Sequence, residues 1–403
     1  MEKTTKDKGS QLGGILLVAG SAIGGGMLGL PIVTGISGLY PALSIFLFCW
    51  IFMTITALLL LEVNLSFSKN INFMSMAEKF LGQWGKIVCW ITYLFLFYTT
   101  LVAYIDASGS ITQQFLKNKF SFHVEYWQSS LFFTVSFGFF VYLGTVFVDK
   151  LNRLFMLGLI LTYFFVIGFG APEINTEHFG HQMWGYSILA IPVTITSFGY
   201  HNIIPTLTNY LKRDRSRMIQ MIFIGGAIPL LVYILWDWLI LGVVPFTRFN
   251  KSLSIENMLN FIKYPLVGTL AQYFAFFAIV TSFLAQALAL VDFLRDALKV
   301  ANSWVNRLWL VILVLAPPYI FAMVYPGVFI TALGLVGGFA AIILFVFLPT
   351  LMVWRLRYRN ANEKYKIVPG GRLMLLLVLL IGGGIMALQF MQEFLNINFL
   401  SRA

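Results

Sequence analysis

Two stretches carry the chemistry in an otherwise apolar chain. AGSAIGGGMLGLP, Ala19 to Pro31, packs Gly20, Gly24, Gly25, Gly26, Gly29 and a proline into thirteen residues. TSFGYHNIIP, Thr196 to Pro205, sets glycine, histidine, asparagine and proline close together. A glycine costs a helix about 1 kcal/mol relative to alanine. A proline removes a donor and clashes with the carbonyl four residues back. Both stretches therefore predict helices interrupted in mid-run. At a break, the freed N–H groups and the positive end of the following half-helix suit an anion. Freed carbonyls and hydroxyls suit a cation. An α-amino acid carries both charges close together and matches such a site. A plainer reading stays open for the first stretch: Gly20-x-x-x-Gly24 and Gly25-x-x-x-Gly29 are also small-residue seams for close helix packing.

The elements that position these residues are membrane spans. The chain has 403 residues, 59% hydrophobic and 11% charged. A soluble domain is about one quarter charged, so lipid is the expected solvent. Apolar runs long enough to cross the hydrocarbon core number eleven, at about 12–36, 39–65, 86–116, 127–148, 151–171, 184–210, 217–243, 265–298, 305–325, 328–354 and 373–395. The polar start MEKTTKDKGSQ and the length of the first run argue against a cleaved signal peptide. With the N-terminus inside, 21 of the 27 Lys and Arg residues fall on the cytoplasmic side and 6 outside, as the positive-inside rule requires. The C-terminus is then external. The same count explains the net charge of +11 without a nucleic-acid partner: KRDRSR and RLRYRN are topology signals beside anionic lipid. Trp84, Trp127, Trp184 and Trp304 start spans and fit an interfacial belt. The loops at 66–85 and 244–264 are too short to fold alone, so one membrane domain over 1–403 is expected. Cys49 and Cys89 read as buried free thiols.

The interrupted spans are the first and the sixth. Five spans separate them, and five is odd, so a second unit would enter the membrane inverted relative to the first. Broken helices at corresponding places of inverted halves point to a secondary transporter's binding site. A channel or a membrane enzyme fits less well: no charged ring is evident, and four scattered histidines supply no catalytic cluster.

At these residues the chain resembles the hydroxy and aromatic amino acid permease family, within the amino acid–polyamine–organocation superfamily. LLVAGSAIGGGMLGLP looks like the family's span 1, ALLLLEVN its span 2 end, and AIPVTITSFGYHNIIP its span 6. TSFLAQALALVDFLRD is similar to span 8, and PPYIFAMVYPGVFITALG to the span 9–10 junction. The resemblance implies an all-α LeuT-type fold: inverted repeats at about 12–171 and 184–354, plus an extra helix at 373–395. It implies a symporter of an aromatic amino acid, most expectedly tyrosine, in a bacterial inner membrane. The working unit is expected to be monomeric. The substrate carboxylate would meet backbone N–H groups of Ala22, Gly24, Gly25 and Gly26. Ser197, Phe198 and Gly199 would join from span 6 and Tyr104 from span 3. His201 is a further candidate for substrate or proton, or a partner for carbonyls freed by the break.

No cofactor is implied beyond a coupling ion. Thr281 and Ser282 follow Ala278 by three and four residues and share one helix face. This resembles the fold's sodium site: carbonyls of Gly20, Ile23 and Ala278 with two hydroxyls, five oxygens that suit a hard cation. Those hydroxyls could instead only bond the preceding turn. In proton-coupled relatives a span 5 lysine often takes the ion's place; here alignment puts Leu159 there, which favours sodium and leaves the proton as alternative.

The remaining polar groups divide. Asp106 in span 3 is either functional or a hydrated vestibule residue. Glu62, Asp149, Asp292 and Asp296 lie near inner helix ends, as snorkelling surface charge sooner than gating pairs. Asp237 is expected at the interface. His178 and His181 have metal-compatible spacing but no further ligands.

Overall fold

The computed structural model describes residues 10–394 apart from 69–70, 250–256, 259–260, 263, 302 and 360–363. The two chain ends, whose sides the charge count assigns, lie outside the described residues, as do Lys69, Lys251 and Lys263. Among the described residues, nine helices are long and apolar enough to cross a membrane, and one bent pair makes a tenth. Tyr126–Leu143 stands where the fourth span is expected. At about 1.5 Å per residue, its 18 residues reach across most of a hydrocarbon core.

The first span is the bent pair: Gln11–Ala22 and Gly26–Thr34 meet at 55°. Ile23 is extended, at φ −72° and ψ 108°, and the helix resumes at Gly26. The sixth span, Trp184–Tyr210, is interrupted differently. Its helical piece Ile191–Ser197 passes through Phe198–Tyr200 and a 3₁₀ turn at His201–Ile203 into Ile204–Tyr210. Pro205 sits in the first turn of that last piece, where its missing N–H costs nothing. The proline starts the half-helix more than it breaks one, so this interruption tightens the chain without bending it sharply.

Two further elements depart from the sequence reading. The region 66–85 was expected as a loop, but the span 3 helix, Phe73–Phe120, begins within it and kinks at Gly82 (φ 77°). That φ favours glycine. Span 10, Phe329–Tyr358, contains a π-helical stretch, Val336–Phe347. Wide turns of this kind often mark functional sites. A side chain on Gly337 would run into the Pro192 carbonyl of span 6, so spans 6 and 10 touch backbone to backbone there.

Span 1 packs along span 7 (Arg215–Val243), and span 5 (Thr145–Gly170) along span 8 (Pro265–Leu298). The segments rich in basic residues meet on one face. Arg213 Nη2 donates to the Asn64 carbonyl at 2.6 Å, Arg215 Nη2 to Lys366 O at 2.6 Å and Arg355 Nη1 to Phe80 O at 2.7 Å. The opposite face is tied by Met183 N to Ser37 O (2.8 Å) and Asn175 N to Gly242 O (3.0 Å). Trp84, Trp127, Trp184 and Trp304 are exposed, and both cysteines are buried free thiols.

Candidate functional site

The two interruptions face each other across a cavity of about 270 Å³ between spans 1, 3, 5, 6, 8 and 10. Span 1 contributes Gly20, Ala22, Ile23, Gly24 and Gly26; span 6 contributes Ser197 and Gly199. Tyr104, Thr281 and Ser282 complete the residues expected there. The N–H groups of a helix's first turn lack partners in the helix, and here that turn begins at Gly26 against the cavity. Three donors around it are already held. Met27 N donates to Gly24 O at 3.1 Å and Leu28 N to Gly25 O at 3.2 Å, and the third is Gly25 N, which leaves Gly24 N and Gly26 N as the donors to offer. Gly25 N donates to Ser282 Oγ at 2.8 Å, and that hydroxyl donates to Ala278 O at 2.8 Å. Gly25 also lies under the Tyr104 ring: a Cβ there would stand 2.5 Å from Tyr104 Cε1.

The carbonyl ends of the breaks have a partner the sequence did not reveal. Ala22 and Ser197 are the last residues of their half-helices. The fully buried Tyr233 hydroxyl of span 7 lies 2.8 Å from the Ala22 carbonyl and 2.7 Å from that of Ser197, and its one hydrogen is shared between them. A buried carbonyl without a partner costs about 1–3 kcal/mol. One side chain therefore ties both breaks together. Nothing in the local sequence around Tyr233 marks it, because both acceptors come from distant segments.

Several expected residues sit outside the cavity lining. Phe198 is fully buried with its ring against Tyr233 (centroids 5.1 Å apart). His201 is also fully buried; Nε2 lies 2.9 Å from Thr56 Oγ1, and the ring stacks on Phe345 at 4.7 Å. His201 thus packs behind Phe345, which does line the cavity. Ala278 acts through its carbonyl alone. Conversely, the cavity brings in Thr100, Asn152, Met156, Thr196, Asn202 and Gln286, which sequence reasoning passed over. Asn152 Oδ1 and Asn202 Oδ1 are buried without a hydrogen-bond partner, two acceptors open to a ligand's donors.

At the expected ion position, Thr281 Oγ1 donates within its own helix, to Phe277 O at 2.8 Å with Ala278 O at 3.2 Å. Lone pairs of the Thr281 hydroxyl remain for a cation, whereas Ser282 Oγ is shared with Gly25 N and the Tyr104 hydroxyl. From span 5 the side chain beside Gly20 is Met156, whose Cε would lie 3.7 Å from a Cβ there. Leu159 is buried elsewhere. Neither residue is charged, and the described cavity lining contains no lysine or arginine.

Glu62 and Asp237 lie elsewhere than expected, whereas Asp149, Asp292 and Asp296 are partly exposed, as surface charge would be. Asp106 is buried, not hydrated: it accepts from Tyr126 OH at 2.6 Å, Gly327 N at 2.8 Å and Phe329 N at 2.9 Å. It caps the start of span 10 and closes the face opposite the basic one. Asp237 is not interfacial; it is fully buried, with Oδ2 2.5 Å from Thr34 Oγ1 and Oδ1 without a partner. Glu62 is not a surface charge; it pairs with Arg357, both side chains fully buried. Asp149 pairs with Arg153 at the surface at 2.9 Å. Asp292 and Asp296 flank Arg295 at 3.1 and 3.6 Å. His178 and His181 each bond a backbone carbonyl, Gly242 O at 2.9 Å and Ile36 O at 2.8 Å.

A larger recess of about 740 Å³ adjoins the cavity, and Asn202 and Ala289 line both. That recess holds Lys86, Asn209, Asp292 and Asp296 and so reaches the basic face.

Comparison with known proteins places this geometry. The model of the tryptophan/tyrosine permease family matches residues 7–389. The tyrosine-specific transport system 1 of Haemophilus influenzae is 33% identical over 390 residues, covering 94% of this chain and 96% of that one. The tryptophan-specific transport protein of the same organism is 30% identical over 393 residues, covering 93% and 94%. Among solved structures, MhsT in complex with L-phenylalanine superposes with a TM-score of 0.66 at 13% identity, covering 96% of this chain and 99% of that one. The shared fold is the LeuT type.

Proposed function

The chain belongs to the tryptophan/tyrosine permease family, and from that premise we propose that it is a sodium-coupled symporter importing an aromatic amino acid, tyrosine first, by alternating access. Permease function for aromatic amino acids follows from the family. The observation that carries the site is the start of the second half of span 1, where Gly24 and Gly26 line a cavity of about 270 Å³ together with Tyr104. Backbone donors there suit a carboxylate. Asn152 and Asn202 offer acceptors for an ammonium or a phenol. Tyrosine is preferred over tryptophan because the tyrosine-specific relative is the more similar, 33% against 30%.

We read spans 1–5 (about 12–171) and 6–10 (about 184–354) as inverted repeats of one monomeric domain, with 373–395 as an extra helix. The interruptions in spans 1 and 6 support this. The basic face is assigned to the cytoplasm of a bacterial inner membrane, with the N-terminus inside and the C-terminus outside. In that orientation the recess lies on the cytoplasmic side of the cavity. Arg215→Cys should react with an impermeant maleimide only from inside; reaction from outside reverses the assignment.

Sodium is supported by the oxygens of Gly20, Ile23, Ala278, Thr281 and Ser282 and by the uncharged Met156 and Leu159. A proton is the second reading, and buried Asp237 is the observation that favours it. Its unpaired oxygen is costly for a carboxylate and cheap for a neutral acid. Uptake of labelled tyrosine and tryptophan into proteoliposomes separates the two. Replacing sodium by choline at fixed pH should abolish accumulation. If accumulation persists and a proton gradient alone drives it, the sodium assignment is wrong and Asp237→Asn becomes the variant to test.

A further inference from the structure

The recess on the basic face differs in character from the central cavity. One wall is aromatic, built from spans 3 and 8: Trp90, Tyr93, Phe97 and Phe293 line it. Their rings form one cluster around Phe293, with centroids 6.1 Å to Trp90, 6.1 Å to Tyr93 and 6.4 Å to Phe97. Trp90 and Phe293 are only half-buried. Span 6 contributes polar groups, Asn202 from its 3₁₀ turn and Thr206 and Asn209 from its last piece. Asn202 carries the unpaired buried acceptor noted above. Opposite charges stand at the rim. Asp292 is 3.1 Å from Arg295, and Lys86 is 3.1 Å from Glu78, all partly exposed.

An aromatic plate accompanied by amides and hydroxyls, with a carboxylate and an ammonium at the rim, is complementary to one class of small molecule. That class has an aromatic ring at one end and a zwitterionic headgroup at the other. Rings gain from offset and edge contacts with such a wall. The rim pairs are exposed and cheap to rearrange, so an incoming ammonium and carboxylate can exchange with them. A volume of about 740 Å³ leaves room for a solvated ligand, so binding there is weaker than in the smaller central cavity. Asn202 and Ala289 line both the recess and the central cavity, so the recess adjoins the cavity on the side of the basic face.

We infer that the recess is a second, weaker binding site for an aromatic α-amino acid, in series with the central one. This rests on the reading that the central cavity takes such a substrate. An amino acid held there obstructs exit to the basic face, so substrate present on the basic side slows its own release from the central cavity.

The test is equilibrium dialysis of labelled tyrosine on the purified full chain over a wide concentration range. Two sites per chain are expected. Trp90→Ala and Phe293→Ala should each weaken only the second, by roughly three- to ten-fold. Gly25→Leu should remove only the first. A direct location readout comes from Thr206→Cys, since Thr206 is exposed in the recess and both native cysteines are buried. Millimolar tyrosine should slow its reaction with a maleimide, in the Gly25→Leu background as well. One site per chain, untouched by Trp90→Ala and with Thr206→Cys unprotected, overturns the second site and leaves the central reading intact. Absence of any tyrosine or tryptophan binding overturns both.

Discussion

Gly25→Leu is expected to abolish tyrosine binding while leaving the protein folded and inserted in the membrane. The backbone at Gly25 is helical, at φ −54° and ψ −27°, so the residue is not required for its conformation. It is required for its lack of a side chain. A Cβ would approach Tyr104 Cε1 to 2.5 Å and Cδ1 to 3.0 Å, and a leucine would fill the space between the span 1 break and Tyr104. It would also displace the backbone N–H that Ser282 holds at 2.8 Å. Gly25 caps this half-helix, a position where leucine brings no propensity gain, so the clash is uncompensated and the thermal midpoint should fall, with an overpacking cost of about 1–3 kcal/mol. Ser197→Ala is the contrast. Its hydroxyl donates to Val193 O at 3.0 Å within its own helix, so the loss in affinity should stay within about 0.5–1.5 kcal/mol. Dialysis with labelled tyrosine and a thermal-shift measurement on the same samples check both. Wild-type affinity in Gly25→Leu would mean that the glycines serve packing alone.

What could be read from the sequence was whatever the chain states locally. Span limits follow from runs of apolar residues, so Leu39–Leu65 and Pro265–Leu298 stand where the hydropathy puts them. The break at Ile23–Gly25 follows from three adjacent glycines. Counted charges sort the loops into two sets, and the structure gathers the basic segments on one face. What could not be read depends on partners far along the chain. Tyr233 looks like one tyrosine among 17 until its hydroxyl is found between Ala22 and Ser197. Asp106 and Asp237 both look like intramembrane acids. Only the fold shows the first capped by three donors and the second with one oxygen bare. His201 lies outside the cavity lining for a related reason. Its neighbours Gly199 and Asn202 do line the cavity, and the tight 3₁₀ turn between them rotates the imidazole away from it.

Glu62→Leu is expected to be the most destabilising single substitution near the basic face. Glu62 and Arg357 meet as a two-pronged pair, Nε to Oε1 and Nη2 to Oε2, both at 2.6 Å, with neither side chain exposed. Arg357 Nη2 also donates to Val368 O at 2.9 Å, and Ile367 N donates to Glu62 Oε2 at 3.1 Å. The pair therefore holds the end of span 2, the end of span 10 and the approach to span 11 in one cluster. Forming such a pair yields little net stability, because two charges leave water to make it. Breaking it is different: the surviving guanidinium stays buried without its counter-charge, at a cost of about 3–5 kcal/mol. Replacing both partners removes that penalty, so Glu62→Leu combined with Arg357→Met should recover much of the loss. Thermal midpoints in detergent for the wild type, each single variant and the double variant form a cycle that isolates the pair. A double variant no more stable than Glu62→Leu alone would show that the cost lies in packing around span 2. Recovery would instead establish that this cluster serves to specify how spans 2, 10 and 11 meet, and labelled tyrosine uptake by the double variant would then report whether that arrangement must open during transport.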